Sequence, residues 1–138
     1  MAKVSVELRV AADAEAIWEL IGAFGRLADW AAGVRSSAVD GEDVGAVRIV
    51  ETADGRRRRE RLESYDEVGR SYSYTVLDEQ TASREHLATL KVWANRDGSA
   101  EIVWSSEFEG GDTPDPEGCA AIEAFYRASL ENVRARLG

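Results

Sequence analysis

The only histidine of the chain, His86, is the residue type best suited to acid–base chemistry near neutral pH. The alternative for a single histidine is a surface residue or a hydrogen-bonded residue of the core. A lone histidine lacks the further ligands that a metal site needs, and Cys119, the only cysteine, is far from it in sequence. We therefore keep His86 as an acid–base candidate and predict no metal site.

The common catalytic motifs are missing from the sequence. Ser105 and Ser106 have no histidine and acid at a recognisable spacing, and no G-x-S-x-G motif occurs, which argues against a serine hydrolase. The sequence contains neither a phosphate-binding loop nor a dinucleotide-binding glycine motif. We therefore predict no cofactor.

The composition is that of one acidic domain, with 138 residues and a formal net charge of −9. This charge argues against nucleic acid or an anionic membrane as the main partner. The exception is the basic run 56–59 with Arg61, which follows Asp54-Gly55 and is expected at a solvated hairpin tip. A single cysteine suits the cytoplasm, and no apolar stretch reaches membrane-spanning length. We expect a cytoplasmic protein without membrane insertion.

Alternation of apolar and polar residues predicts a half-buried strand over residues 3–10. Asp13 is the expected N-cap of a short helix over residues 14–21, and residues 24–30 can form a second one. Turn residues then separate six further predicted strands, at 34–39, 46–52, 58–65, 71–77, 85–94 and 101–108. Their short connections make neighbouring strands antiparallel.

The last stretch, residues 115–137, predicts one long helix with Asp115 as N-cap and Pro116 at its first position. One face carries a stripe at spacings of three or four, formed by Cys119, Ile122, Phe125, Tyr126, Ser129, Val133 and Leu137. A helix that only sealed a core would more usually carry leucine where Ser129 stands. We expect this helix to cover a cavity; the alternative is that Ser129 faces a bulky side chain of the sheet.

The order of one strand, two helices, six strands and one long helix is an α+β arrangement. Four stretches then resemble a known superfamily: AADAEAIWELIGAFGRLADWAAGVRSS (11–37), ERLESYDE (60–67), SYSYTV (71–76) and IVWSSEF (102–108). They are similar to the START/Bet v 1-like (SRPBCC) proteins with the helix-grip fold, and in particular to the polyketide cyclase/dehydrase-like branch. The resemblance covers residues 1–138 and implies one helix-grip domain, a curved seven-stranded antiparallel sheet wrapped on the C-terminal helix.

The resemblance also implies an apolar cavity between the concave face of the sheet and the C-terminal helix. Strand parity identifies the side chains that would line it, and on this parity His86 faces Tyr72 or Tyr74. Expected ligand contacts are Trp30, Leu62, Tyr72, Tyr74, Ala88, Trp104, Ser106, Phe108, Phe125, Tyr126, Ser129 and Val133. Aromatic residues at strand period are also common in an ordinary core, which is the alternative interpretation.

Similarity to the plant abscisic-acid receptors of the same superfamily implies two polar cavity residues. Arg35 falls where the receptors have a lysine for the ligand carboxylate, and Glu60 falls at a buried glutamate. We expect a buried ion pair in which Arg35 orients a carbonyl or carboxylate, while Glu60 and His86 are the catalytic candidates. The alternative is that both residues of the pair lie at a cavity mouth. Residues 52–58 contain no proline, which argues against the gating loops of a hormone receptor.

Three functions remain open at this point. The first is binding of a small hydrophobic or aromatic molecule, with cyclisation or dehydration of a polyketide-like substrate as the possible reaction. The second is a non-catalytic carrier or sensor that uses the same cavity. The third is a protein-interaction module whose acidic surface is the active feature.

Overall fold

Seven antiparallel strands and a long C-terminal helix dominate the computed structural model, which describes residues 2–77, 86–108 and 116–138. The elements are β1 (Ala2–Val10), α1 (Ala14–Ile21), a 3-10 helix (Phe24–Asp29), β2 (Val34–Val39), β3 (Val47–Thr52), β4 (Arg57–Asp66), β5 (Ser71–Leu77), β6 (His86–Ala94), β7 (Ala100–Phe108) and α2 (Pro116–Leu137). The strands pair in the order β1-β7-β6-β5-β4-β3-β2. The predicted fold class is confirmed. The predicted N-cap Asp115 and the predicted strand start Glu85 lie outside the described residues.

Helix α1 forms where its cap and its apolar spacing predict it. The Asp13 side chain accepts a hydrogen bond from the Glu15 amide, and Ile17, Trp18 and Ile21 are buried. None of the helices in the described ranges is long and apolar enough to span a membrane.

Side chains of one parity on each strand form the buried inner face of the sheet. On β1 and β7 the alternation is regular, and Val6 faces the core beside Trp104 of its neighbour. The same parity continues through β6 and β5 to β4, where Leu62 is 1% exposed. Period-two burial on one face is what a sheet covered on one side requires, so the predicted inward parity is correct on β5, β6 and β7. On β4 it is correct only as far as Leu62, because the register with β5 shifts between Leu62 and Ser64, and the predicted inward residue Ser64 is exposed.

The direction of α2 distinguishes the two ends of the inner face. The Ala11 amide donates to the carbonyl of the last residue, Gly138, so α2 ends beside the end of β1, where Val10 pairs with Ala100. The first half of α2 therefore lies towards the opposite end, where His86 pairs with Phe108. We call this opposite end of the inner face the His86 end.

Burial along α2 changes between its two halves. Tyr126, Leu130 and Val133 are at most 4% exposed, whereas Ile122 and Phe125 stay partly exposed. The middle of the helix is thus fully packed on the core, whereas Ile122 and Phe125 of the first half, like Leu137 at the C-terminal end, pack against the core but keep part of their apolar surface exposed.

Ser129 fixes α2 to the segment that follows the 3-10 helix. Its Oγ accepts a hydrogen bond from the Ala32 amide at 2.9 Å and donates to the Phe125 carbonyl at 2.8 Å. The serine is completely buried, so no water molecule can take the place of its hydroxyl as the acceptor for the Ala32 amide. This role explains why a polar residue stands in the apolar stripe of the helix.

Replacing Ser129 by alanine should lower the free energy of unfolding by about 1–2 kcal/mol, because the Ala32 amide loses its acceptor. Urea denaturation measures the change. Ser5→Ala, at an exposed position of β1, is the control and should stay within about 0.5 kcal/mol of the parent. Equal stability of both variants would contradict the anchoring role.

Candidate functional site

A buried arginine on β3, Arg48, is the centre of the polar interior. Its side chain is 0% exposed, and its Nε donates to Oε1 of Glu60 at 2.7 Å. Nη1 donates to the backbone carbonyl of Phe24 at 2.8 Å and lies 3.5 Å from the Tyr72 hydroxyl. The guanidinium carbon is 4.1 Å from the ring centroid of Phe24 and 4.5 Å from that of Tyr74. Within the described ranges, Nη2 has no hydrogen-bond partner.

The Glu60 carboxylate keeps Arg48 charged in this interior. Burial is the largest single effect and lowers the pKa of Arg48, but the attraction of Glu60 together with the effects of Tyr72 and Tyr74 raises this pKa above its usual value. Glu60 is itself only 4% exposed. Each side chain therefore depends on the other, because removing one would leave a buried charge without a partner.

The predicted ion pair between Arg35 and Glu60 is wrong. Arg35 is exposed on β2, and its Nη2 donates to the Ala53 carbonyl at 2.9 Å. β2 is an edge strand, and its register with β3 is irregular next to Arg35, which turns this side chain away from the inner face. Arg48, a residue that the sequence analysis missed, takes its place because the β3–β4 register sets it directly opposite Glu60.

A second set of polar side chains, which we call the hydroxyl chain, runs from Trp104 to His86. Trp104 Nε1 donates to the Tyr74 hydroxyl at 3.1 Å, and the indole stacks on Tyr126 with ring centroids 4.1 Å apart. The Tyr126 hydroxyl interacts with that of Tyr74 and hydrogen-bonds to Ser106 Oγ. Ser106 Oγ in turn lies 3.0 Å from Nε2 of His86.

The expectation that His86 faces Tyr72 or Tyr74 is wrong. The β5–β6 register sets Tyr74 opposite Ala88, and His86 pairs with Phe108 on its other side. The His86 and Phe108 rings are 4.2 Å apart. The histidine thus reaches the tyrosines through Ser106 rather than directly.

All members of the hydroxyl chain are uncharged at neutral pH. Burial lowers the pKa of His86 to about 4, and the positive charge of Arg58 acts in the same direction. Burial raises the pKa of Tyr126 to about 12, against the effect of its hydrogen bond with Ser106. Burial also raises the pKa of Tyr74 well above its usual value. The imidazole is therefore neutral and the phenols keep their protons.

Arg58 on β4 is a second residue that the sequence analysis did not single out for the site. It has the same parity as Glu60, its side chain is half exposed, and its Nη1 lies 3.9 Å from Glu60 Oε2. Its positive charge acts to lower the pKa of both His86 and Tyr126. Strand parity predicts that residue 58 lies on the same face as Glu60, but the sequence analysis interpreted the surrounding arginine run as a solvated hairpin tip.

The other predicted contact residues belong to the core, but not all of them lie under α2: Tyr72 packs against Trp18 of α1 and Phe24 of the 3-10 helix. Buried members of the predicted set are Trp30, Leu62, Tyr72, Ala88, Phe108, Ser129 and Val133. Trp30 packs on Trp104, with ring centroids 5.3 Å apart, and Phe125 packs on the other side of Trp104 at 5.5 Å. Contact of these residues with a ligand stays a prediction.

A separate surface groove of about 390 Å³ opens at the C-terminal end of α2. Its lining comprises Ala28, Asp29, Trp30, Ala31, Asn132, Ala135 and Arg136. None of the acid–base candidates borders it, and Trp30 is the predicted contact residue that it shares with the interior described above. The residues that the structure describes contain no group of three His, Cys, Asp or Glu side chains placed to hold a metal ion.

The Arg48–Glu60 pair generates a stability prediction. Glu60→Gln should lower the free energy of unfolding by about 3–5 kcal/mol, because Arg48 remains buried without a counter-charge. The double variant Arg48→Met/Glu60→Leu should recover most of this loss, since no buried charge remains. Glu7→Gln, at an exposed position of β1, is the matched control. A double variant as unstable as Glu60→Gln would contradict the charge argument.

The depressed pKa of His86 generates a prediction about pH. Between pH 6.5, where an unfolded histidine titrates, and about 4, where folded His86 titrates, only the unfolded chain binds the proton. This histidine therefore lowers the free energy of unfolding as the pH falls through that window, by up to about 3 kcal/mol. The variant His86→Gln lacks this contribution of the histidine to the pH dependence of the free energy of unfolding.

Urea denaturation of both proteins from pH 7 to 4 tests the prediction, because carboxylates that titrate in both proteins cancel in the difference. The parent should lose stability relative to His86→Gln as the pH falls. Parallel curves would show that His86 is not buried in its neutral form.

The family model described as "Polyketide cyclase / dehydrase and lipid transport" matches residues 1–138. The solved structure of the protein XoxI from Bacillus cereus matches with a TM-score of 0.87 and 25% identity, covering 99% of this chain and 96% of that one. A protein from Thermobifida fusca matches with a TM-score of 0.81 and 26% identity over 99% of this chain and 93% of that one.

An uncharacterised protein from Bacillus thuringiensis shares the fold, with a TM-score of 0.85 and 24% identity over 98% of each chain. No curated protein matches. Since the family model extends from the first residue to the last, the chain belongs to the polyketide cyclase/dehydrase and lipid transport family.

Proposed function

We propose that this protein binds a small hydrophobic or aromatic molecule between the inner face of the sheet and the first half of α2. The observation that carries the proposal is the uncovered apolar surface of Ile122 and Phe125. These side chains belong to the same stripe as Tyr126, Ser129 and Val133, which are buried further along the helix. Partly exposed apolar surface next to an aromatic interior favours the binding of an apolar ligand.

The His86 end supplies both kinds of group that small-molecule sites combine. Phe108 and the ring of Phe125 are apolar walls, while His86 and Arg58 offer polar atoms at one edge. Sites of this kind are mostly apolar, with a few polar groups that fix orientation. The family description, which names cyclase, dehydrase and lipid-transport proteins, supports the same class of ligand.

Cyclisation or dehydration of a polyketide-like molecule in this space is the second candidate function. The neutral imidazole of His86, hydrogen-bonded to Ser106, favours it, because such a group can exchange a proton or a hydrogen bond with a carbonyl substrate. Glu60 is the weaker catalytic candidate, since its Oε1 is held by Arg48. Loss of turnover in His86→Gln with unchanged ligand affinity would favour the enzyme over a carrier.

Binding is tested with Nile red, a neutral hydrophobic dye, by fluorescence titration. Ile122→Trp should weaken dye binding about tenfold or more, because the larger ring occupies the space under the first half of α2. Ala124→Trp is the matched control: it adds the same ring at an exposed position on the opposite side of the helix and should leave the affinity unchanged.

Mass spectrometry of small molecules that copurify with the protein identifies natural ligands in parallel. If the dye does not bind, and no small molecule copurifies, the proposal fails. The protein-interaction module would then be the remaining function. Equal effects of the two tryptophan variants would place the dye elsewhere.

A further inference from the structure

Two stacked rings, Trp104 of β7 and Tyr126 of α2, join the sheet to the helix in the middle of the interior. Their ring centroids are 4.1 Å apart and their planes differ by 12°. Trp104 is 1% exposed and Tyr126 is 4% exposed. We call these two rings the aromatic pair. Because one ring belongs to the sheet and the other to the helix, and the rings are in contact, the pair leaves no room for a ligand between them.

Hydrogen bonds to the sheet hold both rings of the aromatic pair in place. Trp104 Nε1 donates to the Tyr74 hydroxyl at 3.1 Å, and the Tyr126 hydroxyl is hydrogen-bonded to Ser106 Oγ. Rotation of either ring would break a buried hydrogen bond, which is costly. Trp30 also packs against Trp104, with ring centroids 5.3 Å apart. The pair is therefore a fixed obstacle rather than a side chain that gives way to a ligand.

The two sides of the aromatic pair differ in how completely the interior is filled. Towards the C-terminal end of α2, Leu130 and Val133 are 0% exposed and belong to the core. In the other direction along the helix, Ile122 and Phe125 keep part of their surface exposed. A ligand bound under the first half of α2 therefore meets the pair at its inner end.

Strand geometry gives the length of this space. Phe108 and Trp104 have the same parity on β7 and are four residues apart, which is roughly 13 Å along the strand. With carbon–carbon bonds of about 1.5 Å in a zigzag, a chain of about ten carbons extends over this distance. A longer chain would have to leave the space, since the aromatic pair closes its inner end.

We propose that the aromatic pair limits the length of the ligand, so that the site takes short apolar molecules with an apolar part of at most about ten carbons. Trp104 and Tyr126 are then the residues that determine specificity for length. The inference rests on the proposed function, because it names the size class of the molecule bound in that space. The acyl chains of ordinary membrane lipids exceed the limit.

A series of n-alkanols from hexanol to tetradecanol tests the limit, with each alcohol kept below its aggregation concentration. Affinity is measured by displacement of Nile red and, independently of the dye, by thermal stabilisation. In the parent protein each added methylene should tighten binding about fourfold up to about decanol, because each is buried. Beyond that length the affinity should stay constant within about 1.5-fold, because further methylenes remain in water.

Tyr126→Ala should move the limit to longer alcohols by about two carbons or more, because removal of the ring opens the space towards Leu130. Trp104→Phe is a second, milder variant that keeps an aromatic core residue, and it should move the limit by about one carbon. Urea denaturation confirms that each variant is folded before its affinities are compared.

Tyr126→Phe is the matched control for Tyr126→Ala. It keeps the ring and loses only the hydroxyl that is hydrogen-bonded to Ser106. Its limit should be that of the parent. A shift as large as that of Tyr126→Ala would show that the ring itself does not set the length, and would overturn the inference.

The remaining outcomes separate the two proposals. Affinity of the parent that still rises at tetradecanol, or a limit that is the same in the parent, Tyr126→Ala and Trp104→Phe, overturns this inference. In both cases the alcohols bind, so the proposed function stands. If neither Nile red nor any alcohol binds, the proposed function fails, and this inference fails with it.

Discussion

The ion pair of Arg48 and Glu60 is the interaction on which the interior depends. It joins β3 to β4 directly, and through the Phe24 carbonyl and the Tyr72 hydroxyl it also ties the sheet to the 3-10 helix and to β5. Dehydrating two charges is costly, and the cost is offset only when partners surround them. The aromatic faces and the carbonyl provide that environment, so the pair constrains where the segment after α1 crosses the sheet.

The polar groups of the interior form two sets, those held within the ion pair and those outside it. Glu60 and Arg48 are engaged with each other and inaccessible to solvent, so they hold the fold. Arg58 is half exposed and His86 is only partly buried, so these two are the polar groups that a ligand in the proposed site could reach. The predicted catalytic pair of Glu60 and His86 is therefore split between a structural role and the proposed site.

Strand boundaries and inward parity could be predicted because alternation in this sequence is clear and Asp-Gly turns separate the strands. Arg48 was missed because its neighbours Val47 and Ile49 suggest the opposite parity, yet Ile49 is 45% exposed and Arg48 is buried. Counting back from the Asp54-Gly55 turn sets residue 48 opposite residue 60 and would have identified the pair. The partner of His86 could not be found in this way, because the sequence between β5 and β6 contains no Asp-Gly or Asn-Gly pair from which to count the register.

The separation of the two polar sets affects how proteins with this fold can acquire specificity for new ligands. A charge that both stabilised the core and bound the guest would tie affinity to stability, and each substitution would change both. Here Glu60 supplies the counter-charge of Arg48 within the fold, so the stabilising pair needs no ligand group as a partner. Substitutions at Arg58 or along the first half of α2 can then alter what is bound, while the ion pair continues to hold the sheet and the 3-10 helix together.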